Sequence, residues 1–345
     1  MRISKLLIIE VTALVVLLLL GSLSGGYEQT IVTKLVLLSL LAISFDLCWG
    51  YSGIMAFGQA LFFGSAGYVV ALLNLHWAVH DFFLVALAGA LTGAVGSALV
   101  AWFVLLTRRK VEIIFVSLGT LSTSYIAERL AGGWQAIGAA NGLSISDPLT
   151  VGSYEMYSGP AFFYTAVLLL LAIYCLARWL VRSQFGLVLS GIRQNEERLA
   201  FFGYRIQVFK AIVFIFAGAI AGLAGALSSF HESYIGPNNI GFLQSTYAGL
   251  YALFGGPGTL LGPVLGVFAI EGLGFALSDI EFIRGIWPAI MGILMLVVVV
   301  YRPTGLMGLM LNGRKSGPSR FAKALPFDQS KSSKLQEGAD VSARG

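Results

Sequence analysis

The stretch from Ile31 to Tyr68 reads IVTKLVLLSLLAISFDLCWGYSGIMAFGQALFFGSAGY. Two apolar runs meet in it, one ending at Trp49 and one beginning at Ile54. Each run is about as long as the roughly 20 residues that an α-helix needs to cross a bilayer. Gly50 and Gly53 interrupt the apolar sequence between the runs. The pattern predicts a membrane helix that breaks and restarts, with close packing of glycine faces alone as the alternative interpretation.

The composition extends this apolar character to most of the chain. Hydrophobic residue types make up 57% of the 345 residues, and charged types only 11%, against about 25% in a typical soluble domain. Mean hydropathy is +0.84. So few charges cannot cover the surface of a soluble protein of this size. With only two cysteines, the chain cannot be a scaffold stabilised by several disulfide bonds. The predicted fold is an all-α, polytopic membrane helix bundle.

Ten apolar segments are predicted to lie in the membrane. They are Leu6–Leu20, Ile31–Trp49, Ile54–Leu73, Phe82–Leu106, Val111–Ala131, Ala161–Val181, Ala211–Ser229, Leu243–Gly255, Leu260–Leu277 and Ile286–Tyr301. The first is alternatively a cleaved signal peptide, and Leu243–Gly255 is too short to span unless it is tilted or re-entrant. The expected organisation is a transmembrane domain over residues 1–302, a loop at 182–209 within it, and a flexible tail at 303–345.

Basic residues predict how these segments are oriented. If both termini lie on one side, every Lys and Arg except Lys34, Arg129 and Arg284 falls on that side. Loops rich in Lys and Arg stay in the cytoplasm. We therefore expect both termini, the 182–209 loop and the tail to be cytoplasmic.

Motifs of enzyme chemistry are missing from the sequence. It has no Gly-x-x-x-x-Gly-Lys-[Ser/Thr] phosphate loop, no His-Glu-x-x-His and no Cys-x-x-Cys. His76 and His80, beside Asp81, fit a short outer loop better than a metal site. Glu271 lies within an apolar segment, and we interpret it as a hydrogen-bonding partner of a neighbouring helix, with substrate contact as the alternative. We expect neither an enzyme nor a bound metal.

Two further segments stand out besides the broken helix. In the 182–209 loop, residues from about Leu187 to Phe202 are predicted to form an amphipathic helix that Gly203 ends. The segment from Phe254 to Gly266 reads FGGPGTLLGPVLG, and its glycines and prolines predict a sharp re-entrant turn. The turn residues are Gly255, Gly256, Pro257, Gly258 and Gly262.

In this order the three segments, with the string from Tyr301 to Leu309 (YRPTGLMGL), closely resemble the branched-chain amino acid permease family of ABC importers. The resemblance is to the larger, M-type subunit of the high-affinity Leu/Ile/Val type, and it runs from about Leu38 to Leu309. Gln59 stands where many members have His, and Asn141 where an acidic residue is more common. The string from Asp46 to Tyr51 is similar to relatives that carry urea and short amides.

The resemblance implies a permease subunit in a bacterial inner membrane that translocates branched-chain or related amino acids. It implies four kinds of partner: an H-type second permease, two ABC ATPase subunits, an extracytoplasmic solute-binding protein and membrane lipid, with no nucleic acid. ATP would be bound by the ATPases, so no cofactor is expected in this chain. A urea or short-amide permease of the same family and a stand-alone secondary carrier or channel are the alternatives.

The resemblance also assigns roles to residues. The expected substrate path comprises Gly50, Ser52, Gly53, Gly58, Gln59, Asn141 and Glu271. The expected contacts with the ATPase, through the 182–209 loop, are Ile192, Arg193, Glu196, Glu197, Arg198, Phe201, Phe202 and Gly203. Within this second set Ile192, Phe201 and Phe202 are the expected apolar anchors.

Overall fold

A computed structural model describes residues 2–23, 25–106, 113–152, 154–157, 159–277, 281–301 and 305–311. These residues form thirteen α-helices. They are α1 (Arg2–Leu23), α2 (Tyr27–Asp46), α3 (Gln59–Trp77), α4 (Phe82–Ala101), α5 (Ile113–Gly133), α6 (Pro160–Arg182), α7 (Gln184–Gln194), α8 (Glu196–Phe201), α9 (Ile206–Glu232), α10 (Phe242–Gly255), α11 (Leu261–Ala276), α12 (Glu281–Tyr301) and α13 (Gly305–Leu311). The fold is an all-α membrane helix bundle, and each predicted apolar segment overlaps one of these helices, although residues 54–58 of the third segment precede α3.

Among the described residues, five helical stretches are long and apolar enough to cross a membrane. They are Tyr27–Tyr51, Gln59–Trp77, Phe82–Leu106, Pro160–Arg182 and Ile206–Glu232. Two of them extend α2 and α4 through π-helical turns at Leu47–Tyr51 and Trp102–Leu106. Shorter apolar helical stretches in the described part of the chain include Ile9–Gly21, Leu261–Ala276 and Gly285–Val298, so the number of ten membrane segments stays a prediction.

Short strands occur between α5 and α6 and directly after α9. β1 (Leu143–Ser144) pairs antiparallel with β4 (Tyr234–Ile235), and β2 (Leu149–Val151) pairs antiparallel with β3 (Tyr154–Met156). The Thr150 amide, in β2, donates to the His80 carbonyl oxygen at 2.7 Å. The neighbouring Asp81 carboxylate caps α4 by accepting from the Phe83 amide at 2.9 Å, as N-cap carboxylates do.

The core of the bundle is built on α9, which packs against α4, α3 and α2. Glycines let the α4 and α9 backbones approach closely. A Cβ on Gly222 of α9 would collide with the Gly89 carbonyl oxygen and lie 2.7 Å from Gly93 Cα, both on α4. Because lipid is as apolar as the helix surface, close backbone packing of this kind holds membrane helices together.

A polar contact joins α1 to α6. Glu10, which interrupts the first apolar run, forms an ion pair with Arg178. It also accepts a hydrogen bond from the Tyr174 hydroxyl at 2.7 Å. Acidic and basic side chains at membrane depth are costly unless they pair with one another, so this cluster fixes how α1 lies on α6.

The expected tail begins with ordered structure. Residues 305–311 form α13, which packs against α10 and α11. Gly305 has a φ of 61°. It lies so close to the glycine-rich turn between α10 and α11 that a Cβ on it would meet the Gly256 backbone. A flexible tail starting at residue 303 is therefore wrong for this segment, and residues 302–304 and 312–345 lie outside the described residues.

Candidate functional site

The predicted break in the second membrane helix is present. α2 ends at Asp46, the π-helical turn follows, and residues 53–58 are not helical before α3 begins at Gln59. Gly53 has a φ of 75°, a conformation that glycine adopts far more readily than residues with a Cβ. The break confirms what the spacing of the glycines predicts.

Side chains from two other helices bind the backbone that the break frees. The Phe57 amide donates to Thr120 Oγ1 at 3.0 Å, and Ser117 Oγ donates to the Met55 carbonyl oxygen at 2.7 Å, both from α5. The Ala60 amide donates to Ser245 Oγ of α10 at 3.0 Å. Buried backbone groups need partners at membrane depth, and in this conformation the protein itself supplies these.

The predicted path residues at the break lie inside the chain. Ser52 Oγ donates to the Cys48 carbonyl oxygen at 2.6 Å, and Gln59 Nε2 donates to Cys48 Sγ at 3.3 Å. Both side chains are buried, as are Gly50 and Gly58, whereas Gly53 is half-buried. The structure therefore brings these five residues together, and of the five only Gly53 is partly exposed.

The other two path residues lie on different elements. Asn141 is exposed at the end of a 3₁₀ turn, Ala139–Asn141, just before β1. Glu271 on α11 accepts a hydrogen bond from the hydroxyl of buried Tyr251 on α10. The contact of Glu271 matches the structural interpretation of that residue.

The glycine hairpin between α10 and α11 is anchored by Asp46, at the end of α2. The Asp46 carboxylate is fully buried, and its oxygens accept from the Gly258 amide at 2.6 Å and the Leu260 amide at 3.1 Å. Gly258 has a φ of 80°. The path residues expected from the sequence do not include Asp46.

Arg193 of the 182–209 loop reaches the same place. Its Nη1 donates to the Gly50 carbonyl oxygen. A Cβ on Gly258 would lie 2.9 Å from that oxygen and 3.0 Å from Nη1. The three segments that the sequence singled out thus meet at Asp46, Gly50, Arg193 and Gly258, which we call the junction.

The 182–209 loop contains two helices rather than the one predicted over 187–202. α7 ends at Gln194, and Asn195 begins α8 by accepting from the Arg198 amide at 3.1 Å. Asn is a preferred N-cap because its side chain binds the free amides of the first turn. Gly203, with a φ of 86°, follows the end of α8 as predicted.

The expected ATPase contacts divide into inward and outward groups. Ile192 is 1% exposed, so its role as a surface anchor is wrong. Glu196 forms an ion pair with Lys210 of α9, and Arg193, although exposed, donates to the Gly50 carbonyl oxygen. Facing outward, Phe201 is 90% and Phe202 80% exposed. The remaining members are also exposed: Glu197, Arg198 and Gly203.

Sequence reasoning missed Asp46, Ser117 and Thr120. Asp46 did carry a signal, because a carboxylate inside an apolar run and four residues before Gly50 needs a partner. Hydroxyl side chains on a membrane helix carry no comparable signal, since they can bond to the carbonyl oxygen of their own preceding turn. Thr120 Oγ1 also does so, donating to the Val116 carbonyl oxygen at 2.8 Å.

An apolar helix bundle with a discontinuous helix is typical of membrane transport proteins. The sequence model of the family described as "Branched-chain amino acid transport system / permease component" matches residues 27–299. The chain belongs to this family, and it is a membrane permease subunit of an ABC importer.

Several curated proteins are similar to the chain. The high-affinity branched-chain amino acid transport system permease protein LivM of Escherichia coli (strain K12) is 23% identical over 301 residues, covering 80% of this chain and 69% of the relative. The probable branched-chain amino acid transport permease protein LivM of Methanocaldococcus jannaschii is 26% identical, covering 78% and 89%. The autoinducer 2 import system permease protein LsrC of Escherichia coli O157:H7 is 25% identical, covering 70% and 68%. No solved structure matches the chain.

Proposed function

We propose that this chain is the M-type subunit of a bacterial importer that carries branched-chain or related aliphatic amino acids across the inner membrane. The observation that carries the proposal is the family match over residues 27–299. Its proposed partners are an H-type permease, two ABC ATPase subunits and an extracytoplasmic solute-binding protein. The names of its LivM relatives support the substrate class.

The proposed docking surface for an ATPase is the tip of the 182–209 loop. Phe201 and Phe202 end α8 with both rings in solvent, next to Glu197 and Arg198. Exposed aromatic rings flanked by charges are typical anchors of protein interfaces, because they bury a large apolar area at low entropic cost. The absence of a nucleotide-binding loop from the sequence is consistent with energy supplied through this surface.

The proposed orientation places this tip in the cytoplasm. Arg182, Arg193, Arg198 and Arg205 lie in or beside the loop, and the tail after Tyr301 is also rich in Lys and Arg. The positive-inside rule then puts both termini and the loop on the same, cytoplasmic side.

The proposed substrate path runs along the break between α2 and α3. A zwitterion with an apolar side chain needs helix ends and free carbonyls more than fixed charges. In this conformation the corresponding groups are bound by Thr120, Ser117 and Ser245. We propose that this is a closed state, and that opening moves α5 and α10 away so that substrate or water replaces their hydroxyls.

The solute-binding protein that the proposal requires as a partner tests the substrate class. Titration calorimetry with leucine, isoleucine, valine, urea and acetamide is expected to show tight binding of the amino acids and none of the amides. Binding of urea or acetamide without the amino acids would contradict the proposal and support the short-amide alternative. The relatives named above do not favour that alternative, nor a stand-alone carrier.

A further inference from the structure

We infer that Asp46 and Arg193 are positioning residues that join the 182–209 loop, the broken helix and the glycine hairpin into one body that moves together during transport. This inference rests on the proposed function, because it concerns how motion at the ATPase surface reaches the path. It assigns Arg193 an inward role instead of a contact with the ATPase, and it gives Asp46 a role in coupling.

The first link runs from the loop to the break. α7 packs against the π-helical turn, and Arg193 at its end donates to the Gly50 carbonyl oxygen. Arg193 also lies beside Gly53, where a Cβ would be 3.7 Å from Arg193 Cβ. The loop therefore contacts the backbone of the broken helix at two positions, without a flexible side chain on the helix side.

The second link runs from the break to the hairpin. Both oxygens of Asp46 are used by backbone amides of the hairpin. A Cβ on Gly50 would collide with Asp46 Oδ1 and with the Gly258 amide, so only glycine at position 50 lets the carboxylate reach the hairpin. Charge-assisted hydrogen bonds from a buried carboxylate are strong and costly to leave unmade, which favours motion of the two segments as a unit.

The two ends of the loop therefore have different surroundings. The aromatic rings at the end of α8 face solvent, and the guanidinium at the end of α7 faces the break. The Glu196–Lys210 ion pair holds α8 to α9 between them. A push on the outer end therefore acts on Gly50 through Arg193 and on Gly258 through Asp46.

Substitution of Arg193 tests the first link. We would reconstitute the wild-type permease with the H-type, ATPase and binding-protein partners encoded beside it, and measure leucine uptake and leucine-stimulated ATP hydrolysis. Arg193→Gln is expected to lower uptake at least tenfold and to remove the stimulation, while its ATPases still co-purify. Arg193→Lys, which keeps a charged donor, should recover at least a third of the uptake. Arg205→Gln is the matched control, because it removes an exposed charge from the same loop.

A covalent replacement for the lost hydrogen bond tests joint motion directly. A Cβ built on Gly53 would lie 3.7 Å from Arg193 Cβ. This distance is within the roughly 3.5–4.5 Å that separates the two Cβ atoms of a disulfide bond. The Gly53→Cys/Arg193→Cys double variant would be made in a Cys48→Ala/Cys175→Ala background and compared before and after copper-phenanthroline oxidation. We expect uptake to be low when reduced and to rise at least fivefold when oxidised. Uptake should not rise when the same oxidant is given to the background or to either single variant, Gly53→Cys or Arg193→Cys.

The outcomes separate this inference from the proposed function. If the wild-type complex takes up no leucine, the proposed substrate fails and the inference falls with it. If the wild type transports leucine and Arg193→Gln matches Arg205→Gln, only the inference is overturned. It is also overturned if Arg193→Gln loses its ATPases. The same holds if the Gly53→Cys single variant transports normally, so that strain at Gly53 is tolerated, while the oxidised double variant forms the disulfide and its uptake stays low, because the loop and the break would then have to separate during the cycle.

Discussion

Glycine serves two different purposes in two regions of this protein. In the contact between α4 and α9, Gly89, Gly93 and Gly222 lie within regular helices, and the absent side chains let two backbones touch. Gly258 at the junction and Gly53 beside it have positive φ and lie outside helices. The first region is held by dense packing, whereas the second is held by a few hydrogen bonds to Asp46 and Arg193.

The difference indicates where the molecule is stiff and where it can change shape. Two helices packed along their backbones cannot shift without losing many contacts at once. The junction lies at loop and helix-end positions, which are common sites of hinge motion, so its joined segments can move as a unit relative to the packed helices. The comparison predicts that a change in the first region reduces stability, and that a change in the second reduces transport.

The largest effect on stability is expected from Gly222→Ala. The added methyl group would meet backbone atoms of α4 that cannot rotate away. Overpacking typically costs about 1–3 kcal/mol and sometimes more, which exceeds the roughly 1 kcal/mol that alanine gains over glycine in a helix. We expect a clear fall in the thermal midpoint of the purified permease in detergent.

Gly96→Ala is the matched control for this prediction. Gly96 is also on α4, but a Cβ there would lie 3.5 Å from Phe62 Cδ1, an ordinary contact. Its midpoint is expected to stay the same or rise. Equal midpoints for the two variants would show that the α4–α9 contact is loose enough to accept a side chain.

At the junction, Gly258→Val is expected to lower leucine uptake at least tenfold. Valine at a φ of 80° is strained by about 1–3 kcal/mol, and its Cβ would displace the Gly50 carbonyl oxygen and Arg193 Nη1. Gly152→Val carries similar strain, because Gly152 has a φ of 61°, but a Cβ there has no atom within 4 Å. Similar uptake by the two variants would mean that strain alone, and not the junction, decides the effect.

The smallest effect is expected in thiol reactivity along the break. Sequence reasoning predicts that cysteines placed from Ser52 to Gln59, in the background without native cysteines, react with a small water-soluble reagent. In this conformation Gly53, Met55 and Phe57 are half-buried and the positions between them are buried. We therefore expect slow labelling at these three positions alone, spreading to neighbouring positions as ATP and vanadate change the state of the complex. If no introduced cysteine reacts with the reagent, either before or after ATP and vanadate are added, the result would favour the interpretation that the glycines serve packing alone.

Much of the fold could be predicted because it depends on local sequence. Runs of apolar residues gave the helices, and Gly53 and the Gly255–Gly262 segment marked the break and the turn. The contacts that organise the site could not be predicted in this way. Asp46 and the hairpin are 212 residues apart in sequence, and one sequence does not indicate which distant amide a carboxylate binds.

The division of the 182–209 loop into two helices could be predicted in part from the sequence. Asn195 is a preferred N-cap and is followed by Glu196 and Glu197, which favour the first turn of a helix. This signal for a second helix was available. Amphipathic periodicity alone, by contrast, could not show that Ile192 faces the protein interior while Phe201 and Phe202 face solvent. The pattern identifies an apolar face of a helix but not what that face packs against.

The most direct test of the central claim, that partner ATPases drive this permease through the tip of α8, is leucine uptake into proteoliposomes. The permease would be reconstituted alone and with its partners, as wild type, Phe202→Asp and the conservative control Phe202→Leu. Phe202 is 80% exposed, so neither change should affect folding. We predict uptake only with partners and ATP, a loss of at least tenfold in Phe202→Asp with its ATPases no longer co-purifying, and near-normal uptake in Phe202→Leu. Uptake by the permease alone, or normal uptake by Phe202→Asp, would contradict the account.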